Sequence, residues 1–171
     1  EQPARQLTKL TVIGTASREQ TRDWVKGLGA HHVIDHSQPL VEQLEKIGVG
    51  QVSHVASLTH TGTYLPQIVE ALRPQGQLAV IDDPDGLDVM PLKRKSLSLH
   101  WELMFTRSLY ETPDMIEQHH LLNRVADLID QGVLKTTLGE HFGTINAENL
   151  RRAHALIESG KATGKIVLEG F

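Results

Sequence analysis

The chain of 171 residues contains no cysteine. Disulfide bonds, thiolate nucleophiles and cysteine-ligated zinc sites are therefore excluded within it. No apolar run approaches the roughly 20 residues that cross a bilayer, and no secretory signal pattern is present. We therefore expect a cytoplasmic protein that makes no membrane contact.

An excess of positive charge is also absent, because 17 Lys and Arg stand against 21 Asp and Glu, a net charge of -4. Nucleic-acid binders are usually basic, and the short run Lys93-Arg94-Lys95 does not change this, so we expect no nucleic-acid partner. The ten histidines are scattered and show no HExxH spacing, so we expect no metal site. The composition, 39% hydrophobic and 22% charged, is that of an ordinary globular domain.

The first half of the sequence alternates between strand and helix patterns. A β-branched apolar run at 10–16 predicts a buried parallel strand, and 19–28 predicts a helix with one apolar face. The alternation continues with a strand at 31–35, a helix at 40–47, a strand at 51–58, a helix at 62–73 stopped by Pro74-Gln75-Gly76, and a strand at 77–82. Such an order predicts a parallel sheet with crossover helices.

The second half predicts longer elements. We expect a strand at 96–104, a helix at 114–131, an extended segment at 134–142, a helix at 146–159 capped by Asn146, and a last strand at 165–168. Residues 1–9 resemble the rear of a helix, which predicts that the sequence is a fragment.

The end of the first strand carries Ser17 and Arg18, with no carboxylate before Glu19. In dinucleotide-binding sheets an acidic residue here binds the ribose 2′-OH, whereas an arginine suits a 2′-phosphate. The position therefore favours NADP(H) over NAD(H). The alternative is a solvated arginine at a helix start.

Ligands of open α/β sheets bind beyond the carboxyl ends of the strands. Leu58 and Thr59 follow the third strand, and we expect them to line the ribose on the nicotinamide side. Ile81 and Asp82 end the fourth strand, so the same argument applies to them. The alternative for Thr59 is a loop residue that caps the next helix.

Three phrases carry a family resemblance: LGAHHVID at 28–35, LRPQGQL at 72–78 and TGKIVL at 163–168. With them in this order, the chain resembles the cofactor-binding half of a medium-chain dehydrogenase/reductase, in the quinone-oxidoreductase-like or zinc-type alcohol-dehydrogenase-like branch. The resemblance implies a Rossmann-type, doubly wound parallel sheet with an NADP(H) cofactor.

The sequence also departs from that family. No strand with a glycine-rich turn precedes Leu10, and the family's GroES-like catalytic domain and its zinc ligands are absent. Residues 1–171 are therefore expected to be a partial dinucleotide-binding domain, inactive alone. The neighbours of the missing strand would carry unpaired backbone groups unless another copy or further residues cover them.

The resemblance implies further site residues. Ser17, Arg18 and His36 would lie at the adenosine 2′-phosphate, Phe105 and Thr106 near the nicotinamide carboxamide, and Lys165 near the cofactor. The alternatives are an exposed loop for His36, core packing for Phe105 and a plain surface position for Lys165. No residue of the chain stands out as catalytic.

The function implied for the complete enzyme is hydride transfer from NADPH to a quinone, enone or carbonyl substrate. A homodimer through the strand near Ser96–Leu103 is also implied. The alternatives are the cofactor domain of a zinc-dependent alcohol dehydrogenase and a non-enzymatic nucleotide-binding or interaction module. A methyltransferase that binds S-adenosylmethionine is disfavoured, because it usually has an acidic residue where Arg18 stands.

Overall fold

The computed structural model describes all 171 residues, as helices, strands and one 3-10 helix that follow one another along the chain. The order is α1 (Gln2–Leu7), β1 (Ile13–Thr15), α2 (Glu19–Gly27), β2 (His32–Ile34), α3 (Leu40–Lys46), β3 (Val52–Ser57), α4 (Thr61–Ala71), β4 (Leu72–Val80), the 3-10 helix (Met90–Lys95), β5 (Ser98–Trp101), α5 (Thr106–Leu109), α6 (Glu117–Asp130), β6 (Leu138–His141), α7 (Ala147–Glu158) and β7 (Lys165–Val167). The predicted alternation of strands and helices in the first half is confirmed.

All strand pairs are parallel, as the crossover pattern predicts. The strands form three separate sheets, β1-β2, β3-β4-β5 and β6-β7. β1 is bonded only to β2, and the far edge of β3 carries no partner strand. One edge of each of these two strands therefore lacks a backbone partner within this chain.

Apolar packing joins the first two sheets across that interruption. One buried cluster contains Leu72, Leu78 and Val80 of β4 together with residues of α4. A second cluster is flanked by Ile13 of β1 and Val52 of β3. Burying each such side chain stabilises the fold by about 1.5–3 kcal/mol, so these clusters hold the strands in place where hydrogen bonds do not.

Two helix ends are fixed by side chains. The predicted cap of α7 is confirmed, because Asn146 Oδ1 accepts a hydrogen bond from Asn149 N at 2.8 Å. At the C-terminal end of α4, Lys95 Nζ donates to the carbonyls of Val69, Glu70 and Leu72 at 2.7–2.8 Å. A cation at this point neutralises the exposed carbonyls at the C-terminus of α4.

The stop predicted at 74–76 is wrong. α4 ends at Ala71 and the chain passes directly into β4, where Val52 pairs with Leu72 but His54 pairs with Gln77. Residues 73–76 therefore bulge out within the strand, with Gln75 at a φ of 62°. Pro74, Gln75 and Gly76 therefore form a bulge within β4 rather than a turn before it.

Other boundaries in the second half also differ. β5 covers only Ser98–Trp101 because the 3-10 helix takes the residues before it. The short helix α5 was not predicted, and α6 begins at Glu117 rather than Asp114. No helix combines the length and the apolar character that a membrane-spanning segment requires.

Candidate functional site

The carboxyl end of β1 presents Ser17 and Arg18, which are both exposed. Arg18 occupies the N-cap position of α2, and no side chain accepts a hydrogen bond from the first turn of this helix. The Arg18 guanidinium has one long hydrogen bond, from Nη1 to the carbonyl of Lys161 at 3.4 Å. An anion at this point would therefore meet both an available cation and backbone N–H groups.

Lys161 was missed by sequence reasoning. It lies in the loop between α7 and β7, and its side chain is exposed. The contact with Arg18 spans 143 positions of sequence. No local pattern pairs two residues so far apart, and only the fold brings the Lys161 carbonyl to the Arg18 side chain.

Arg22 holds the ends of β1 and β2 together. Its Nη1 donates to the carbonyl of Ala16 at 3.4 Å, and its Nη2 donates to the carbonyl of Val33 at 3.3 Å. The side chain is half-buried. Arg22 therefore supports the strand ends, whereas Arg18 is left facing the solvent.

His36 follows β2 and meets Tyr64 from the first turn of α4, edge to face, with ring centroids 6.2 Å apart. The contact places the end of β2 near the start of α4. His36 is half-buried rather than an exposed loop residue. The adjoining turn is fixed by Gln43, whose Oε1 accepts from Asp35 N at 2.8 Å while its Nε2 donates to Asp35 O at 2.8 Å.

A polar cluster of buried Ser57 and Thr61 with half-buried Asp82 joins the ends of β3 and β4. Thr61 donates to Asp82 twice, from its backbone N to Oδ2 at 2.9 Å and from its hydroxyl to Oδ1. The Thr61 hydroxyl has only one proton to give, so Ser57 must donate across the 2.6 Å contact between the two hydroxyls. The hydrogen bonds from Thr61 hold the pKa of the Asp82 carboxyl below its usual value.

This cluster settles how α4 begins. The alternative that Thr59 caps the helix is wrong, because its hydroxyl contacts His60 Nδ1 at 2.7 Å instead. The acceptor for the first turn comes from Asp82, 21 residues further along the chain. Leu58 and Ile81 stand beside the cluster and are 68% and 43% exposed.

The remaining predicted residues lie elsewhere on the surface. Phe105 is 55% exposed at the start of α5, so the alternative of core packing is wrong. Thr106 is the first residue of α5, and Lys165 is the exposed first residue of β7. No hydrogen bond links these three residues to Arg18 or Asp82.

A zinc ion does not fit this chain. The structure brings together no group of three or more His, Asp or Glu side chains with the geometry to hold a metal ion, and there is no cysteine. Structural and catalytic zinc sites need three or four such ligands. No chemical step is therefore assigned to a metal in this chain.

Parallel strands, crossover helices and polar side chains at the strands' carboxyl ends define a Rossmann-type α/β domain. A family model described as zinc-binding dehydrogenase matches residues 28–168. The chain belongs to this family.

The similar proteins agree with that assignment. A zinc-type alcohol dehydrogenase-like protein of Staphylococcus aureus, SAS2087, is 34% identical over 169 residues, which cover 96% of this chain and 50% of the relative. A crystal structure from Rhizobium etli CFN 42, of a protein provisionally described as a zinc-dependent alcohol dehydrogenase, is 55% identical with a TM-score of 0.95, covering 99% of this chain and 50% of that one. The chain thus spans about half the length of these proteins.

Escherichia coli quinone oxidoreductase complexed with NADPH shares the fold, with a TM-score of 0.77 at 22% identity, and the match covers 99% of this chain and 52% of that one. The predicted resemblance to the cofactor-binding half of medium-chain dehydrogenases and reductases is confirmed, as is the α/β fold class.

Proposed function

We propose that the chain is the NADP(H)-binding part of an oxidoreductase that transfers hydride to a quinone, enone or carbonyl substrate. The observation that carries the proposal is the end of β1, where Arg18 is exposed and no carboxylate stands before Glu19 of α2. The nicotinamide supplies the hydride, and the chain's own residues bind and orient the cofactor. The NADPH complex of the quinone oxidoreductase of similar fold supports this choice of cofactor.

The 2′-phosphate lies against Ser17 and Arg18 in this proposal. The guanidinium exchanges its single 3.4 Å contact with a carbonyl for charge-assisted, bidentate bonds to phosphate oxygens, which are much stronger. Lys161 supplies only the backbone carbonyl of that contact, and His36 follows the neighbouring strand β2. Because all these side chains are on the surface or only half-buried, a phosphate reaches them without displacing the core.

The nicotinamide half of the cofactor lies towards β3 and β4. Leu58, Thr59 and Ile81 line this part of the site, since they are exposed at the carboxyl ends of the two strands. Phe105 and Thr106 approach from the segment after β5, and Lys165 approaches from the start of β7.

The chain supplies no catalytic acid of its own in this proposal. We therefore expect no turnover by these 171 residues alone. NADPH oxidation followed by absorbance, with a quinone as acceptor, tests this point. Oxidation that rises in proportion to the amount of this chain would contradict it.

The deciding experiment compares NADPH and NADH binding to the complete protein by nicotinamide fluorescence, with Arg18→Ala and a matched control. Losing charge-assisted bonds to the 2′-phosphate is expected to weaken NADPH binding about 10- to 100-fold. NADH has no such phosphate, so its affinity should hardly change. Arg124→Ala removes an exposed arginine of α6 and should affect neither cofactor. Equal losses for both cofactors with Arg18→Ala, or none, would refute the assignment.

A second candidate is the cofactor domain of a zinc-dependent alcohol dehydrogenase. The names of the similar proteins favour it, while the ligands would have to lie outside this chain. Zinc content of the purified complete protein, measured with alcohol oxidation before and after chelation, separates the two candidates. Activity that survives complete removal of zinc supports the reductase.

The proposal includes a homodimer through β5. This strand lies at the edge of its sheet and pairs only with β4, so its outer backbone groups have no partner within the chain. Trp101 at its end is 59% exposed. An unprotected edge strand pairs readily with a second copy. Sedimentation of the protein and of Trp101→Asp tests this, and a monomer for the unmodified protein would contradict it.

A further inference from the structure

We infer that Asp82 is a positioning residue, which fixes the segment Leu58–His60 through Thr61 and does not itself touch the cofactor. The inference rests on the proposed function, because it concerns how the nicotinamide side of that site is held. It replaces the expectation that Asp82 binds the cofactor directly.

Both oxygens of Asp82 are already used by one residue. Oδ2 accepts from the backbone N–H of Thr61 at 2.9 Å and Oδ1 accepts from its hydroxyl. Thr61 has no exposed surface, so solvent does not reach the donor side of these bonds, whereas the Asp82 carboxylate is half-buried. The carboxylate also lies at the N-terminal end of α4, where the helix dipole stabilises a negative charge. The same charge would repel the phosphates of a dinucleotide.

The segment Leu58–His60 is anchored at both ends by this cluster. Ser57 precedes the segment and Thr61 follows it, and their hydroxyls are 2.6 Å apart. His60 adopts a left-handed conformation with a φ of 55°, which a side chain with a Cβ disfavours. Such a conformation persists when the surrounding contacts determine it. Asp82, Thr61 and Ser57 supply those contacts.

The anchored segment displays its side chains outward. Leu58 is 68% exposed and Thr59 is also exposed, although both adjoin a buried cluster. An exposed leucine on a fixed three-residue segment is placed where it can pack against a ligand without first being ordered. Because the segment is already ordered in the free protein, binding does not have to order it, and the affinity for the ligand is higher.

The experiment measures dissociation constants of NADPH and NADH by nicotinamide fluorescence in the complete protein with Asp82→Ala. Loss of the hydrogen bonds from Thr61 to Asp82 should weaken the binding of NADPH and of NADH alike, by about tenfold, because the two cofactors share the nicotinamide half. The ratio of the two affinities should stay as it is. Asp83→Ala is the matched control, since it removes an exposed carboxylate one residue away. Asp82→Asn keeps an oxygen that accepts from Thr61 N–H. Its loss of cofactor affinity should therefore lie between the losses of Asp83→Ala and Asp82→Ala.

Four outcomes overturn the inference. Affinities unchanged in Asp82→Ala, with a lowered melting temperature, mean that the residue only stabilises the fold. A changed NADPH to NADH ratio means that Asp82 acts at the 2′-phosphate. Losses of equal size in Asp83→Ala mean that only the charge matters. If the alanine variant does not fold, Asp82→Asn decides, and a loss under about twofold in it contradicts the inference. The Arg18→Ala ratio remains the separate test of the proposed function.

Discussion

The ends of β1 and β4 differ in what their polar side chains do. At the end of β4, both oxygens of the Asp82 carboxylate accept hydrogen bonds from Thr61, at the start of α4. At the end of β1, Arg18 stands at the start of α2 with a single long hydrogen bond to a carbonyl. The start of α4 has a side-chain acceptor from within the chain, and the start of α2 has none.

This difference separates a residue that holds the structure in place from one that is available to bind a ligand. A polar group whose hydrogen bonds are all made within the protein holds its neighbours in place and has little left for a ligand. A charged group with one weak partner exchanges it easily for a phosphate. In the proposed function, Arg18 at the end of β1 therefore contacts the phosphate, and the segment after β3 provides a fixed surface for the nicotinamide half.

The packing beneath the two strand ends differs in the same sense. β4 contributes side chains with no exposed surface, Leu78 among them, whereas Ile13 in β1 is half-buried beside a sheet edge without a partner. The part of the molecule that supports the site is therefore also the better packed one.

The largest expected effect comes from a cavity in the well-packed core around β4. Leu78→Ala should lower the free energy of unfolding by about 2–5 kcal/mol, because it leaves a cavity in the main core. Ile13→Ala should cost clearly less, since its side chain is only half-buried. Urea denaturation of both variants measures this. Equal losses would mean that the two sheets are equally well packed.

A smaller effect is expected from crowding β1. A Cβ at Gly14 would lie 2.4 Å from Val25 Cγ1 of α2, which is closer than real contacts allow. Gly14→Ala should therefore cost about 1–3 kcal/mol of unfolding free energy. The control is Gly27→Ala, where nothing lies within 4 Å of the new Cβ. A neutral Gly14→Ala in thermal unfolding would mean that α2 shifts freely on β1.

Helix capping provides a third test, at about 1 kcal/mol. Asn146→Ala removes the acceptor for Asn149 N at the start of α7 and should lower the free energy of unfolding by that amount. The control Asn123→Ala changes an asparagine of α6 that bonds only to a neighbouring histidine. If Asn146→Ala has no effect on the denaturation midpoint, water replaces the cap without loss.

The smallest effect concerns acid. Folding lowers the pKa of Asp82, so the carboxylate's contribution is complete above the pKa of the unfolded state, about 3.9, and is lost as the pH falls through the lower pKa of the folded state. Asp35 and Asp114 have lowered pKa values as well, so global stability mixes all three. Hydrogen exchange of the Thr61 amide isolates Asp82. Its protection should fall below about pH 4 and should show no such step in Asp82→Asn.

Several features were predictable because their signals are local. The end of β1 at Ser17 and Arg18 follows from a short β-branched run, and the cap at Asn146 follows from the residue type before a helical pattern. The resemblance in LGAHHVID and TGKIVL also lies in contiguous residues. These signals need only neighbours in sequence.

Other features depend on residues that meet only in three dimensions. The contact between Arg18 and Lys161, the bonds from Thr61 to Asp82 and the cap that Lys95 gives α4 join residues 21 to 143 positions apart. The bulge at 73–76 was read as a turn because its proline and glycine also suit a turn. Nothing local distinguishes the two.

By itself, the sequence determined the order of strands and helices in the first half, the family, and the basic side chain at the end of β1. Hydrophobic periodicity and residue type act over a few neighbouring positions, which is enough for these features. Only the tertiary structure decided that Asp82 supports α4 while Arg18 stays available, because the partner that a polar side chain finds depends on which distant elements the packed core brings beside it.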